Sequence, residues 1–261
     1  GSPIHSSTTL KGYELLSEGG EMGELIRSHN WDDTPLGAVS TWPQSLLTTL
    51  SIVLQSQFPM FLWWGKDLIQ FYNDAYRPSL GVDGKHPKAL GQKAVDCWPE
   101  IWNVIRPLID QVLNGEPSVW SEDQLIPIYR NGKLEDVHWT FSYSAVKIED
   151  GSIGGILVVC SETTGKVQNL KKLQESEDQL RFAIEATELG TFDYNPATNT
   201  FKSNNRLKEW FGLPANAEVD LSLAIAAIAE RDRLRVTDAI NTALQYAFGG
   251  FYNIEYTIIN P

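Results

Sequence analysis

FPMFLWWG is apolar at every position from Phe58 to Trp64, which a half-exposed strand could not be, so it is predicted to be a strand covered on both faces. The natural cover precedes it. Leu46, Leu47, Leu50, Val53 and Leu54 recur on one helical face, with Thr41 as N-cap, Pro43 in the first turn and an end expected near Gln57. Gly65-Lys66-Asp67 is turn chemistry leading into LIQFYND, so 58–74 read as a hairpin, followed by a short helix ending at Gly81. Residues 82–96 are loop-like. From Trp98 to Leu113 the residues Ile101, Val104, Ile105, Leu108 and Val112 keep helical spacing, with a kink at Pro107 and a stop at Asn114-Gly115. Three strands follow: Val119 to Tyr129 running into the hairpin signal RNGK, Val137 to Val146, and Ile153 to Cys160 after the turn EDGS. Ahead of all this, residues 3–40 are rich in Ser, Thr, Gly and Asp, with Leu25, Ile26 and Trp31 as anchors, and are expected to form an irregular arm with one short helix.

Glu162 to Thr187 has no Gly or Pro after Gly165 and repeats apolar residues in heptads, with Leu170, Leu173, Leu180 and Ile184 at a and d positions and Glu177 weakening the seam. It is read as a connecting helix, either a solvated spacer or a short parallel coiled coil joining two copies of the chain. Past it the pattern restarts. FLWWGKDLIQFYNDAYRPSLG at 61–81 has its counterpart in TFDYNPATNTFKSNNRLKEWFGL at 191–213, with Asn73 matching Asn204. Helical stretches carrying Leu221, Ile225, Ile228, Leu234, Val236, Ile240 and Leu244 then lead through Gly249-Gly250 to the strand FYNIEYTII. The second unit is therefore expected to lack its last two strands. Phe251 to Ile259 should then slide beside Gly190 to Tyr194, pair across chains or fray.

A chain of 261 residues with 42% hydrophobic content can build two cores. The formal charge of -12 argues against nucleic acid and anionic membranes as partners. Cys97 and Cys160 are too few for a disulfide scaffold, which fits a reducing cytoplasm, and no apolar run approaches the length of a membrane span. Gly1-Ser2 reads as a cloning scar. There is no catalytic or metal-binding constellation. GVDGKHP has its glycines too close, and His86 where a phosphate loop needs a hydroxyl. The carboxylate pairs Asp32-Asp33, Glu122-Asp123 and Glu149-Asp150 are read as solvated, and His138 as an edge or solvent-side residue.

DDTPLG, TWPQSL, FPMFLWWG, YNDAYRP, GKHPKALG, WPEIW and SETT, in that order over about 31–167, resemble the PAS domain found near the N-terminus of bacterial sensor histidine kinases. LGTFDYN, NRLKEWFGL and AERDR give the second unit a looser PAS likeness. The resemblance implies an α+β fold of two antiparallel five-stranded sheets flanked by helices, the second truncated. Its parts would be an arm (1–40), a first domain with its flanking helix (41–164), a connecting helix (165–187) and an incomplete second domain (188–261). It also implies that Glu162-Thr163-Thr164 stands where PAS domains tie the sheet to the outgoing helix, the carboxylate and hydroxyl satisfying N–H groups of its first turn. Trp64, Trp98, Trp102, Trp139, Phe141 and Tyr143 are the candidates for lining a ligand pocket between sheet and helices, and simple core packing is the competing reading. No cofactor is expected, and an unidentified small ligand is left open. Cys97 lacks the sequence context of a flavin-attacking cysteine, and the helix at 98–113 has no histidine for a haem. The resulting reading is a cytoplasmic sensory and dimerisation region of a two-component kinase, partnered by a second copy and by a downstream kinase domain of the same chain. The alternatives are a flavin- or haem-binding sensor, or a PAS region feeding a phosphatase or cyclic-dinucleotide output.

Overall fold

Large aliphatic and aromatic residues with no polar break make Met60–Trp64 (β1) a central strand, and Ile69–Tyr72 (β2) returns beside it through a turn in which Gly65 takes a φ of 73°. The computed structural model describes residues 14, 16–245 and 254–259, and these divide into two compact units at Lys171/Lys172. Gly1-Ser2 and the stretch Gly249 to Asn253 lie outside the described residues.

In the first unit the remaining strands are Val119–Leu125 (β3), Ile128–Arg130 (β4), Lys133–Glu135 (β5), His138–Lys147 (β6) and Ile153–Glu162 (β7). Five of them form one antiparallel sheet in the order β2-β1-β7-β6-β3, and β4-β5 is a separate hairpin. Both sheet edges are blunted. The backbone of 91–94 bonds along β2, with Gln70 N–H on the Gln92 carbonyl, and β3 bulges between Ser121 and Gln124.

Adjacent residues of a strand point to opposite faces, and this sheet is buried on both. On one side Leu62, Trp64 and Phe71 meet the helix Gln44–Gln55 (α2), whose buried residues are Leu46, Leu47, Leu50, Val53 and Leu54. The arm joins this core. Its helix Gly20–Ser28 (α1) buries Met22 and Ile26, and Trp31 stacks on Phe71 at 5.0 Å. Both helices are capped from far along the chain. Asp74 accepts the N–H groups of Glu21 (3.1 Å) and Met22 (2.8 Å), while Glu149 accepts the N–H (2.8 Å) and hydroxyl (3.1 Å) of Ser45. On the other face lie two short helical pieces, Ala94–Cys97 (α3) and the turn Pro99–Ile101, and then the helix Trp102–Leu113 (α4) with Pro107 on its exposed side.

Several boundaries differ from the sequence expectation, and prolines account for most of them. Trp42 precedes Pro43 and is held extended, so α2 starts at Gln44 and Thr41 closes a separate 3-10 turn. Pro99 likewise delays α4 to Trp102, and the stretch before Gly81 is a 3-10 turn at Arg77–Leu80. The run Val119 to Tyr129 is two strands. Pro127 has no N–H to continue the ladder, so RNGK closes the small β4-β5 hairpin instead of linking two strands of the main sheet.

The helix Thr164–Ala186 (α5) follows β7. The second unit holds the hairpin Phe192–Asn195 (β8) and Thr200–Ser203 (β9), then the helices Asn205–Trp210 (α6), Leu221–Ala226 (α7) and Glu230–Ala243 (α8). Its sheet has two strands, which corrects the expectation of a truncated five-stranded one. Ile254 to Ile259 does not lie beside β8. Instead, Ala229 N–H bonds to the Thr257 carbonyl (2.8 Å) and Ile259 N–H to the Ala227 carbonyl (2.9 Å). Asp232 of the AERDR segment and Arg235 just after it fix it there: Asp232 accepts Thr257 N–H (3.1 Å) and Arg235 donates to the Glu255 carbonyl (2.6 Å). The segment's backbone groups thus find partners at the start of α8.

The internal repeat holds at the level of single atoms. Asn73 N–H bonds to the Met60 carbonyl, and its Oδ1 accepts N–H from Met60 (3.1 Å) and Tyr76 (3.0 Å). Asn204 does the same with Thr191 and Leu207, at 3.0 Å each for Oδ1. The Nδ2 groups donate to the carbonyls of Phe58 (2.8 Å) and Leu189 (2.8 Å), each two residues before the first hairpin partner.

Candidate functional site

Between the sheet and α4 the first unit has a cavity of about 60 Å³. Phe61 and Trp63 reach it from β1, Trp139, Phe141 and Tyr143 from β6, and Val158 and Cys160 from β7. Tyr76, Trp98 and Ile105 face them. Of the six pocket candidates, Trp98, Trp139, Phe141 and Tyr143 line the cavity. Trp64 and Trp102 do not: Trp64 lies on the other face of β1 against Gly154 and Gly155, and the half-buried Trp102 carries the Arg106 guanidinium 5.7 Å above its ring. Phe61, Trp63 and Tyr76 complete the aromatic wall; for the two on β1, an unbroken apolar run gives no sign of which residue faces which side.

The polar atoms of the wall are mostly engaged. Gln70, fully buried on β2, accepts the indole N–H of both Trp63 (3.2 Å) and Trp98 (2.7 Å), and donates to the Ala89 carbonyl (2.9 Å). Trp139 donates to the Ile126 carbonyl (3.2 Å). Burial raises the pKa of the Tyr76 and Tyr143 phenols, so both stay protonated. It also pushes the Cys97 thiol up to about 11 and the Cys160 thiol up to about 12, and neither is a nucleophile at neutral pH. The cavity is several-fold smaller than the roughly 300 Å³ at which sites for drug-sized ligands begin. A flavin ring system or a haem would require its aromatic wall to be rebuilt.

The strands that wall the cavity end on the start of α5. Trp139 pairs with Glu162 in the ladder, and next to it the His138 backbone N–H donates to Thr164 Oγ1 (3.0 Å) while its carbonyl accepts Thr163 N–H (2.8 Å). The Glu162 carboxylate accepts the Thr164 hydroxyl (3.2 Å) and takes a two-pronged bond from Arg130, Nη1 at 2.9 Å and Nη2 at 2.7 Å. Arg130 also donates to Glu135 and to the Ser79 carbonyl, at 2.8 Å each, so the β4-β5 hairpin, the turn before Gly81 and the end of β7 meet on one guanidinium. Donation to the Glu162 carboxylate is the main cause of the raised pKa of Arg130. One helical turn on, Lys166 bonds to Asp123 on β3 (2.9 Å), lowering that carboxyl's pKa. Arg130 was legible only as part of a turn signal.

Along α5 no residue is buried, and Leu170, Leu173 and Leu180 are 55%, 57% and 62% exposed, with Ile184 partly covered. His86 bonds to the Tyr72 hydroxyl through Nδ1 (2.8 Å), and His138 is half-buried on β6. Among the described residues there is no cluster of His, Cys, Asp or Glu fit to hold a metal, and no helix long and apolar enough to cross a membrane.

No protein-family model and no curated protein matches the chain. Solved structures that it resembles include a sensory box sensor histidine kinase from Vibrio cholerae, at 19% identity and a TM-score of 0.30, covering 45% of this chain and 87% of that one. The PAS domain of Bordetella pertussis BvgS matches at 14% identity and a TM-score of 0.32, over 52% of this chain and 99% of that one. An RNA-binding light-oxygen-voltage receptor matches at 17% and 0.37, with 54% of this chain covering 40% of the receptor. These likenesses are partial and low in identity. By its own hydrogen bonding the first unit is a mixed fold of helices and one antiparallel five-stranded sheet.

Proposed function

We propose that the chain is the cytoplasmic sensory and dimerising region of a two-component sensor histidine kinase, in which the first unit's core detects a small ligand and α5 carries the change toward a kinase domain of the same chain. One observation carries this reading: the backbone of His138, next to the cavity-lining Trp139, is hydrogen-bonded to Thr163 and Thr164, where the outgoing helix begins. A shift of β6 at the cavity is passed through these bonds to the start of the helix. The exposed leucines support the second copy as partner, since an apolar seam in water gains from being covered.

Amide hydrogen exchange on the Glu162→Ala/Thr164→Ala double variant tests the coupling without any ligand. Amides in the first turn of α5 should exchange about tenfold faster, as for loss of a terminal hydrogen bond, while those of α4 and β6 keep their protection. Equal loss of protection throughout the unit would make the junction a purely structural element. An unchanged first turn would remove it from the pathway.

A further inference from the structure

The sensory reading leaves the ligand unnamed, and the cavity wall narrows it. The indole N–H groups of Trp63, Trp98 and Trp139 are all bonded within the protein, which leaves the Tyr76 and Tyr143 hydroxyls. Both side chains line the cavity and are more than nine-tenths buried, at 7% and 5% exposure, and neither hydroxyl has a hydrogen-bond partner among the described residues. Neither oxygen is among the fully enclosed polar atoms without a partner, so each keeps surface for a ligand to reach, and a protonated phenol both donates and accepts. No charged side chain lines the space, so an ionised ligand would enter without a counter-charge. The volume of about 60 Å³ is less than half of the roughly 150 Å³ in which an engineered apolar cavity takes up benzene.

Resting on the sensory function proposed above, we infer that this cavity binds an uncharged molecule of about three or four heavy atoms, whose single oxygen bonds to Tyr76 and Tyr143 and whose short apolar body packs on Phe61, Ile105 and Val158. Short-chain alcohols and small carbonyl compounds have this chemistry. A carboxylate of the same size does not, because its charge would be stranded among aromatic rings. Hydrogen bonding at one end and dispersion at the other set both orientation and selectivity, and a longer chain or a ring has no room.

Saturation-transfer NMR on the whole chain tests this, with 1-propanol, acetone, propionate and cyclohexanol as probes. Saturable binding of 1-propanol or acetone is expected, with none of propionate or cyclohexanol. Tyr76→Phe and Tyr143→Phe should each weaken binding by about tenfold, with the urea midpoint of the first unit retained as a check on folding. Failure of both small probes to bind saturably would overturn the assignment, as would undiminished affinity in the double Phe variant or equal binding of cyclohexanol. A pair of long-lived waters on the two hydroxyls that neither probe displaces would overturn it too. Because the exchange test of Glu162 and Thr164 uses no ligand, a wrong ligand class would leave the proposed coupling standing.

Discussion

Asn73 and Asn204 each stitch the two ends of a hairpin to the turn that follows, but they do so at different depths. Asn73 is fully buried, and its amide also serves the carbonyls of Val53 and Ser56, whereas the bonds of Asn204 are partly or fully exposed. Replacing Asn73 by Ala strands several buried groups and should cost about 3 kcal/mol or more. Asn204→Ala removes the N-cap of α6 and should cost about 1 kcal/mol. Urea unfolding followed by tryptophan fluorescence separates the two, because Trp210 is the sole tryptophan after Lys171 among the chain's nine. A loss at Asn73 no larger than at Asn204 would contradict the burial argument. The match of these two asparagines was readable in the sequence, since both follow a strand and precede a helical turn. The role of Gln70 was not: a lone glutamine in LIQFYND reads as the solvent side of a strand, and only the cross-sheet partners reveal it as the receiver of two indoles.

At the scale of elements, α1 and α2 are both capped by carboxylates from distant loops, and for α2 the cap ties stability to protonation. The N–H of Ser45 holds the Glu149 carboxyl below its ordinary value of 4.5. A group whose folded value is depressed contributes above its unfolded value and loses that contribution as pH falls through the folded one. The thermal midpoint of the first unit should therefore drop as pH is lowered from about 5, and Glu149→Gln should flatten part of that drop, the rest belonging to other carboxyls such as Asp123 and Glu135. An unchanged pH profile in the variant would show that this cap contributes nothing. Elements were legible wherever period and turn chemistry agreed, as in β1-β2 and the buried face of α2. They blurred where proline broke a continuous apolar pattern, since Pro127 in LIPIYRNG splits a strand that residue type alone would carry through.

Over the whole molecule, the feature most open to test is the seam of α5. If it pairs two copies, sedimentation should give a concentration-dependent dimer, and Leu173→Glu with Leu180→Glu should give a monomer at the same loading while both units keep their helix content. A wild-type monomer at high micromolar concentration would reduce the helix to a spacer. The docking of Ile254 to Ile259 on α8 was not visible, because it rests on the side chains of Asp232 and Arg235, whose letters say nothing of their targets. The bridged indoles of Trp63 and Trp98 have one more consequence, because an N–H held by a buried glutamine is shielded from water and from exchange with it. In a spectrum of the indole region these two protons should stay bright after transfer to heavy water, while that of Trp120, 68% exposed, vanishes at once. The protein thus carries its own unmodified reporters in the wall of the cavity, able to show by a change of resonance position when the space behind them is filled.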